Sequence, residues 1–447
     1  MATETTNMSQ RQPALSRRTL LGTGGLGTSG VAGAVLLAAC VARDGGAPGA
    51  PSAREPASIV YTQWGGAPIF EVIDKANATY MQRFPHITIR TEQNPDDYLD
   101  KMLTQIAAGT APDLMLMTDR NLPLVAGAGF EALDPYVSKT RSFKREAYFP
   151  IGLSAGTLGG KLYSLPDVID VDLIFYNERL FAEAGVRPPA ATWTWEDNLA
   201  AARAIHRDKG GTQLYGIAAY NSAWQSWVYS NGGLIVDEQG RRFLLDRAEA
   251  VEALEWLGDL RNRHQVVLDD PQAAVGVNMT NSFGTNRVGM IYAEGWQFKY
   301  YRDQALDWRA TVLPRSPKTG KAVPHGYVLG IGLYSQSKAK DAGWHWLSWW
   351  EGVEGWDAKI AAGWDKLPTV KEAATRKAWL IDVEGADRNK QAYVDSALVA
   401  KGYPITKQIS EAVDLIGQEL GPAWKGEKSF KAVTTAMAGP VNAILAK

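Results

Sequence analysis

The stretch SIVYTQWGGAPIFEVIDKANATYMQRFPHITIRTEQNPDDYLDKMLTQIAAGTAPDLMLM, residues 58–117, alternates short apolar runs with longer segments whose apolar residues recur three and four apart. Ser58–Trp64 predicts a buried strand, and Pro68–Phe84, with Ile69, Ile73, Ala76, Tyr80 and Phe84 in helical spacing, predicts a helix. Ile87–Gln93 is a second strand by its alternation, Asp96–Ala108 a second helix and Asp113–Met117 a third strand. Strands that alternate with helices must be joined by crossovers. The expected class is therefore α/β, a mostly parallel sheet flanked by helices. Such sheets bind ligands beyond the carboxyl ends of their strands. Those ends fall at Trp64-Gly65, Gln93-Asn94 and Thr118-Asp119-Arg120.

A second α/β run follows Leu165-Pro166. Asp172–Tyr176 and Leu214–Tyr220 read as strands, and Glu178–Ala184 as a helix. Another helix opens at Thr194, where Asp197 three residues on completes a capping-box pattern. A further helix carries Trp224 and Trp227, and Asp246–His264 reads as a long one with Asp246 and Glu249 at the same capping spacing. Strands return at Val288–Ala293, Arg309–Leu313 and Tyr327–Leu333, and helices dominate from there to Lys447. A chain of 447 residues exceeds one ordinary hydrophobic core, which predicts two lobes with a ligand cleft between them.

The first 40 residues address the protein rather than fold it. Ser16-Arg17-Arg18-Thr19-Leu20-Leu21 precedes a mild apolar run, interrupted by glycines and too weak for a stable membrane span, that ends at Leu37-Ala38-Ala39-Cys40. The paired arginines resemble a twin-arginine export signal, with Leu20 and Gly22 departing from its usual residues. Cys40, the single cysteine, stands where a lipobox places the thiol that receives a diacylglyceryl group. Two acyl chains give stable anchoring where one does not. Residues 41–57, rich in Gly, Ala, Pro and Ser, read as a flexible spacer. From the net charge of −1, removal of residues 1–39 with Arg11, Arg17, Arg18 and Glu4 takes away two net positive charges and leaves −3. That balance argues against a nucleic-acid surface.

Four segments, in order, resemble family 1 extracellular solute-binding proteins of ABC transporters, the maltose-binding-protein-like group. They are Gly160–Pro166 followed by Leu173–Asn177 and Leu180-Phe181; Thr192–Asp197; Arg287–Tyr292 with Gly295-Trp296; and Gly330–Leu333 with Ser337–Ala342. The resemblance implies a two-lobe periplasmic-binding-protein fold whose hinge is about three crossings, near Asp167–Asp172, Ala293–Gly295 and Leu329–Leu333. On that reading lobe 1 comprises residues 58–168 plus 294–331, and lobe 2 residues 169–293 plus 332–447. It also implies a monomeric, extracytoplasmic receptor without enzymatic activity or cofactor, which hands its solute to an ABC permease.

Sugar recognition needs flat aromatic faces for pyranose C–H groups, together with carboxylates, amides or guanidinium for the hydroxyls. The sequence holds 16 tryptophans, so aromatic faces are in supply. Trp296 sits where the family places a stacking residue, and Trp64 ends the first strand. Trp224 and Trp364 are further aromatic candidates, and the tryptophans of 344–350 read as core. Asp119-Arg120 matches a sugar-contacting pair of the family, Asp170 aligns with an acidic contact position, and Asp167 is close by. Asn94 rests on strand-end geometry. A tethered glycosidase or lyase is the enzymatic alternative, with Asp119 and Asp170 as its carboxylate pair. An adhesion or sensor lipoprotein is another, and a polyol or sugar-phosphate-like solute is the alternative ligand. Arg120 as the single cation at the strand ends argues against phosphate.

Three motif spellings are discounted. Gly22–Gly27 spells a dinucleotide fingerprint inside the export signal, with no strand before it. Gly152-Leu153-Ser154-Ala155-Gly156 spells a nucleophile elbow without the strand that an elbow needs. The histidines at 86, 206, 264, 325 and 345 have no metal-ligand spacing.

Overall fold

Strand β1 (Ala57–Gln63) forms where Ile59 and Tyr61 can be fully buried, and β2 (Ile87–Gln93) lies parallel to it, residue against residue from Ala57↔Ile87 to Gln63↔Gln93. The computed structural model describes residues 56–94, 97–268, 282–304, 306–381 and 385–447. The expected export signal, Cys40 and nearly all of the expected spacer lie outside the described residues. Helix Ala67–Arg83 makes the crossover that parallel pairing demands, burying Phe70, Ile73, Ala76, Asn77 and Tyr80. Helix Tyr98–Ala108 returns the chain to β3 (Leu114–Thr118), also parallel to β1.

The hairpin β4 (Thr157–Leu158) and β5 (Lys161–Leu162) leads into β6 (Ser164–Asn177), 14 residues long and buried throughout. The sequence suggested a strand only from Asp172, because Pro166 and three aspartates interrupt the apolar run. The strand continues through them by means of a bulge. Val168 pairs with Leu329 and Pro166 with Gly330, so Asp167 is the extra residue. After β7 (Arg207–Lys209), β8 (Thr212–Ala218) runs parallel to β9 (Val288–Glu294). β10 (Trp308–Thr311) and β9 both pair antiparallel with the second half of β6. β11 (Gly326–Leu333) pairs antiparallel with β3 on one side and with the first half of β6 on the other. One sheet thus runs β2-β1-β3-β11-β6-β9-β8-β7. The parallel units at its two ends are joined by the antiparallel strands β11 and β6.

Two helices expected to share a capping box differ. At Thr194 both reciprocal bonds form, with Asp197 Oδ2 accepting from Thr194 N at 2.8 Å. The long helix is Ala248–Asn262 with Arg247 at the N-cap and no side-chain cap, so Asp246 and Glu249 do not form the box.

Each half has its own core. Ile59, Tyr61, Leu114 and Leu116 pack with Trp346, Trp350 and Trp356, whereas Trp195, Trp227, Ile217 and Leu254 pack with Ile416. A third cluster around Phe175, Phe298, Tyr301, Trp308 and Tyr393 lies against the second half of β6. These contacts exchange two segments relative to the expected lobes. Helix Lys340–Trp350 belongs with β1, since Trp346 stands 5.0 Å from Tyr61 and its Nε1 donates to Asn77 at 2.9 Å. Helix Gln297–Arg302 and β10 belong with the second half of β6, where Trp308 pairs with Asn177 and Phe298 stands 5.1 Å from Phe175. Periodicity identifies an element but does not say which neighbour it packs on. Among the described residues no helix is long and apolar enough to cross a membrane.

Candidate functional site

Tyr327 on β11 pairs with Asp170 on β6, and the pleat puts both side chains on one face of the crossing strands. On that face lies a cavity of about 430 Å3, lined by Trp64 and Ile69 from one half, Trp296 and Lys299 from the other, and the loop Gly363–Lys366. Four of the nine candidate binding residues meet here: Trp64, Asp170, Trp296 and Trp364. The volume lies within the usual range for small-molecule sites.

Trp296 is 39% exposed, unusual for so large an apolar side chain, and its orientation is fixed at both ends. Its backbone N donates to Asp170 Oδ1 at 2.9 Å, and its indole Nε1 donates to Glu294 Oε2 at 2.5 Å. Trp64 stands edge-on to Tyr98, ring centres 5.0 Å apart. Trp364 is 5% exposed, and its buried indole N–H has no protein acceptor. Asp170 also accepts from the Tyr393 hydroxyl at 2.6 Å and from the Tyr327 hydroxyl at 3.2 Å. Tyr327 stands 3.4 Å from Glu294 Oε2 as well. Gly295 makes this closeness possible. A Cβ there would lie 2.0 Å from the Tyr393 ring, so no other residue lets that ring reach Asp170.

Burial controls the protonation of these carboxyls. It raises Asp170, against the lowering effect of Lys366 and its hydrogen bonds. Burial, reinforced by the Asp170 charge, pushes Glu294 up to about 7. Asp172, paired across the strands with Glu294, is pushed well above the usual range by burial and then by the Glu294 charge. Its Oδ2 accepts from Ser226 Oγ at 2.6 Å. Asp365 at the cavity rim is 3.7 Å from Arg302.

The other candidates lie elsewhere. Asp119 is buried beside a different cavity, on the face occupied by helix Pro150–Ala155, where its carboxylate accepts from Arg120 N at 2.7 Å and Val328 N at 3.1 Å. Arg120 reaches Asp414 at 3.4 Å on an exposed surface. Asp167 is sealed in an ion pair with Lys359 at 3.3 Å and accepts from Trp350 Nε1 at 3.0 Å. Those buried partners, not the cavity, occupy its carboxyl. Asn94 is buried, donating to Thr62 Oγ1 at 2.6 Å and accepting from Lys101. Trp224 is buried in the core of the second half. Asp119 and Asp170 thus line separate cavities and do not form the carboxylate pair that a glycosidase at this site needs. Ser154 lies within a helix and donates to Ile151 O at 2.9 Å, as an ordinary helical serine does.

Tyr327, Glu294, Lys299 and Lys366 were not singled out by the sequence. Glu294 ends an apolar strand in the way that had marked Trp64, Tyr327 stands near the start of one, and only register reveals that they face Asp170. The two lysines bring cations to a cavity where the strand ends alone provided none.

A sheet shared by two cores, with an aromatic cavity on its crossing strands, defines the two-lobed binding-protein class. Residues 66–355 match the family of bacterial extracellular solute-binding proteins, and the chain belongs to that family. A binding protein of Brucella abortus is 27% identical over 396 residues, covering 85% of this chain and 90% of the relative. An ABC substrate-binding protein of Listeria monocytogenes in complex with cycloalternan has a TM-score of 0.74 at 23% identity, covering 87% of this chain and 99% of that one. The cyclic alpha-maltosyl-1,6-maltose binding protein of Arthrobacter globiformis gives 0.75 at 21% identity, with 88% and 99% covered. The sugar-binding protein MalE of Xanthomonas citri gives 0.75 at 19% identity, with 87% and 97% covered.

Proposed function

We propose that this chain is an extracytoplasmic receptor that captures a mono- or oligosaccharide in the cavity between Trp64, Trp296 and Trp364 and delivers it to an ABC importer. The observation that carries the reading is the meeting of three tryptophans from separate segments with a buried carboxyl in one cavity. Aromatic faces suit the apolar side of a sugar ring, and a fixed carboxyl and an unpaired indole N–H suit its hydroxyls. The solved relatives whose names record sugars support the same class of ligand. Ligand contacts from both halves favour closure about the crossing strands β6, β9 and β11. Lipid attachment at Cys40, after export by the twin-arginine route, holds the receptor at the membrane as a monomer.

Lys299 and Lys366 on the cavity wall favour a second reading, an anionic solute such as a sugar phosphate. A thermal-shift screen of neutral sugars, polyols and glycerol phosphates separates the two, because a ligand that binds only the folded state raises the melting temperature. The sugar reading expects stabilisation by a neutral saccharide. Stabilisation by phosphorylated compounds alone transfers the site to the second reading.

A further inference from the structure

One side chain from each of three crossing strands meets here: Asp170 from β6 and Tyr327 from β11, which line the cavity, and Glu294 from β9, which touches Tyr327 and Trp296. The Tyr327 hydroxyl stands 3.2 Å from Asp170 Oδ2 and 3.4 Å from Glu294 Oε2. It owns a single hydrogen and can donate to one of them at a time. Two ionised carboxylates around it leave one facing a bare oxygen. A proton on Glu294 completes the chain, with Glu294 donating to Tyr327 and Tyr327 donating to Asp170. Glu294 Oε2 also receives the indole N–H of Trp296, the exposed ring of the cavity.

We propose that Glu294 is the positioning residue of this site, orienting the Trp296 ring and sharing one proton with Asp170 across the Tyr327 hydroxyl. The proposal rests on the cavity being the binding site, and it adds that ligand affinity is linked to protonation. The surroundings are mixed in charge. Asp170 and Asp172 face Glu294 from β6, Tyr327 from β11 and Tyr393 from the helix Gln391–Val399, while Lys299 and Lys366 line the same cavity with Asp365. Burial and then the Asp170 charge hold Glu294 up, whereas the bond from Trp296 holds it down.

A ligand covering Trp296 removes water from Glu294 and so favours its protonated form. The carboxyl pKa is then higher in the complex than in the free protein. Affinity is full below the free-protein value and falls as pH rises above it, by up to about tenfold per pH unit.

The test needs no ligand. With 15N-labelled indoles and the Trp296 resonance assigned from Trp296→Phe, the Trp296 N–H shift is followed from about pH 5 to about pH 9, a span that brackets the ionisation of the shared proton. The proposal expects an inflection near pH 7. That inflection disappears in Glu294→Gln. It moves down by about one pH unit in Asp170→Asn, which removes the neighbouring charge, and shifts in Tyr327→Phe, which removes the hydroxyl across which the proton is shared. A flat curve in the wild type, or the same curve in Asp170→Asn and Tyr327→Phe, overturns the proposal even should Glu294→Gln fail to fold. Because no sugar is present, failure here leaves the sugar reading standing, and a failed sugar screen leaves this titration standing.

Discussion

Lys359→Met should destabilise the protein severely although it lies outside the cavity. Lys359 is fully buried, its ammonium 3.3 Å from Asp167 Oδ1 and 3.4 Å from Glu351 Oε2. It also lies 3.5 Å from the Trp356 ring centre and 4.7 Å from that of Trp350. Methionine fills the stem's volume but leaves two buried carboxyls without a counter-charge. Removing one partner of a buried ion pair costs about 3–5 kcal/mol. An unfolding entropy of ~2.1 cal/mol/K per residue gives roughly 0.9 kcal/mol per degree for a chain of this size, so Tm falls by ~3–5 °C. Glu351 adds a pH signature. Burial raises its pKa well above the ordinary value, so its contribution to stability is greatest at low pH and is lost as pH rises. The variant should therefore lose more at an alkaline pH than at an acidic one, where proton uptake by Glu351 relieves the pair. Calorimetric melts of both proteins at both pH values measure this. A variant within a degree of wild type at both refutes the reasoning, because the carboxyls then do not need the ammonium.

Gly295→Ala drives a Cβ to within 2.0 Å of the Tyr393 ring, and overpacking of this kind costs about 1–3 kcal/mol, read as a lower melting temperature. It should also loosen the Tyr393–Asp170 bond and weaken any ligand that stabilises the wild type, as titration calorimetry of both proteins would detect. Trp224→Phe and Asp167→Asn should lower the melting temperature while leaving the affinity for that ligand unchanged, since both side chains are spent on the core. His325, held down to about 4 chiefly by burial, contributes stability above the ordinary imidazole value that is lost as pH falls towards 4. Acid unfolding followed by circular dichroism should shift to lower pH in His325→Gln.

What the sequence disclosed follows from what period and spacing encode. β2 was read with its bounds, and Trp64 and Trp296, which meet in one cavity, were singled out because a strand end and a family element each mark a place rather than a contact. Asp170 was preferred by the family alignment and Asp167 only by nearness to it. Their partners separate them, Asp167 spent on the buried Lys359 and Trp350 and Asp170 on the cavity, and neither set of partners is announced by a local pattern. Tyr327 and Glu294 were missed for the same reason, since their meeting with Asp170 is a matter of register across three strands far apart in the chain. Lys299 and Lys366 lie on a helix and a loop whose approach to the cavity is decided by how helix Gln297–Arg302, β10 and residues 340–374 pack. Trp224 shows the converse. An aromatic at a helix start near a strand end was absorbed by a large core, which a tryptophan-rich chain has room to build.

Titration calorimetry of a stabilising saccharide against wild type and Trp296→Ala tests the binding claim most directly. The ring is 39% exposed, so a covering ligand removes roughly 60–100 Å2 of apolar surface from water, worth about 1.5–2.5 kcal/mol. The account predicts affinity weakened roughly 10–70-fold in the variant. Equal affinity in the two proteins would place the sugar outside this cavity and contradict it.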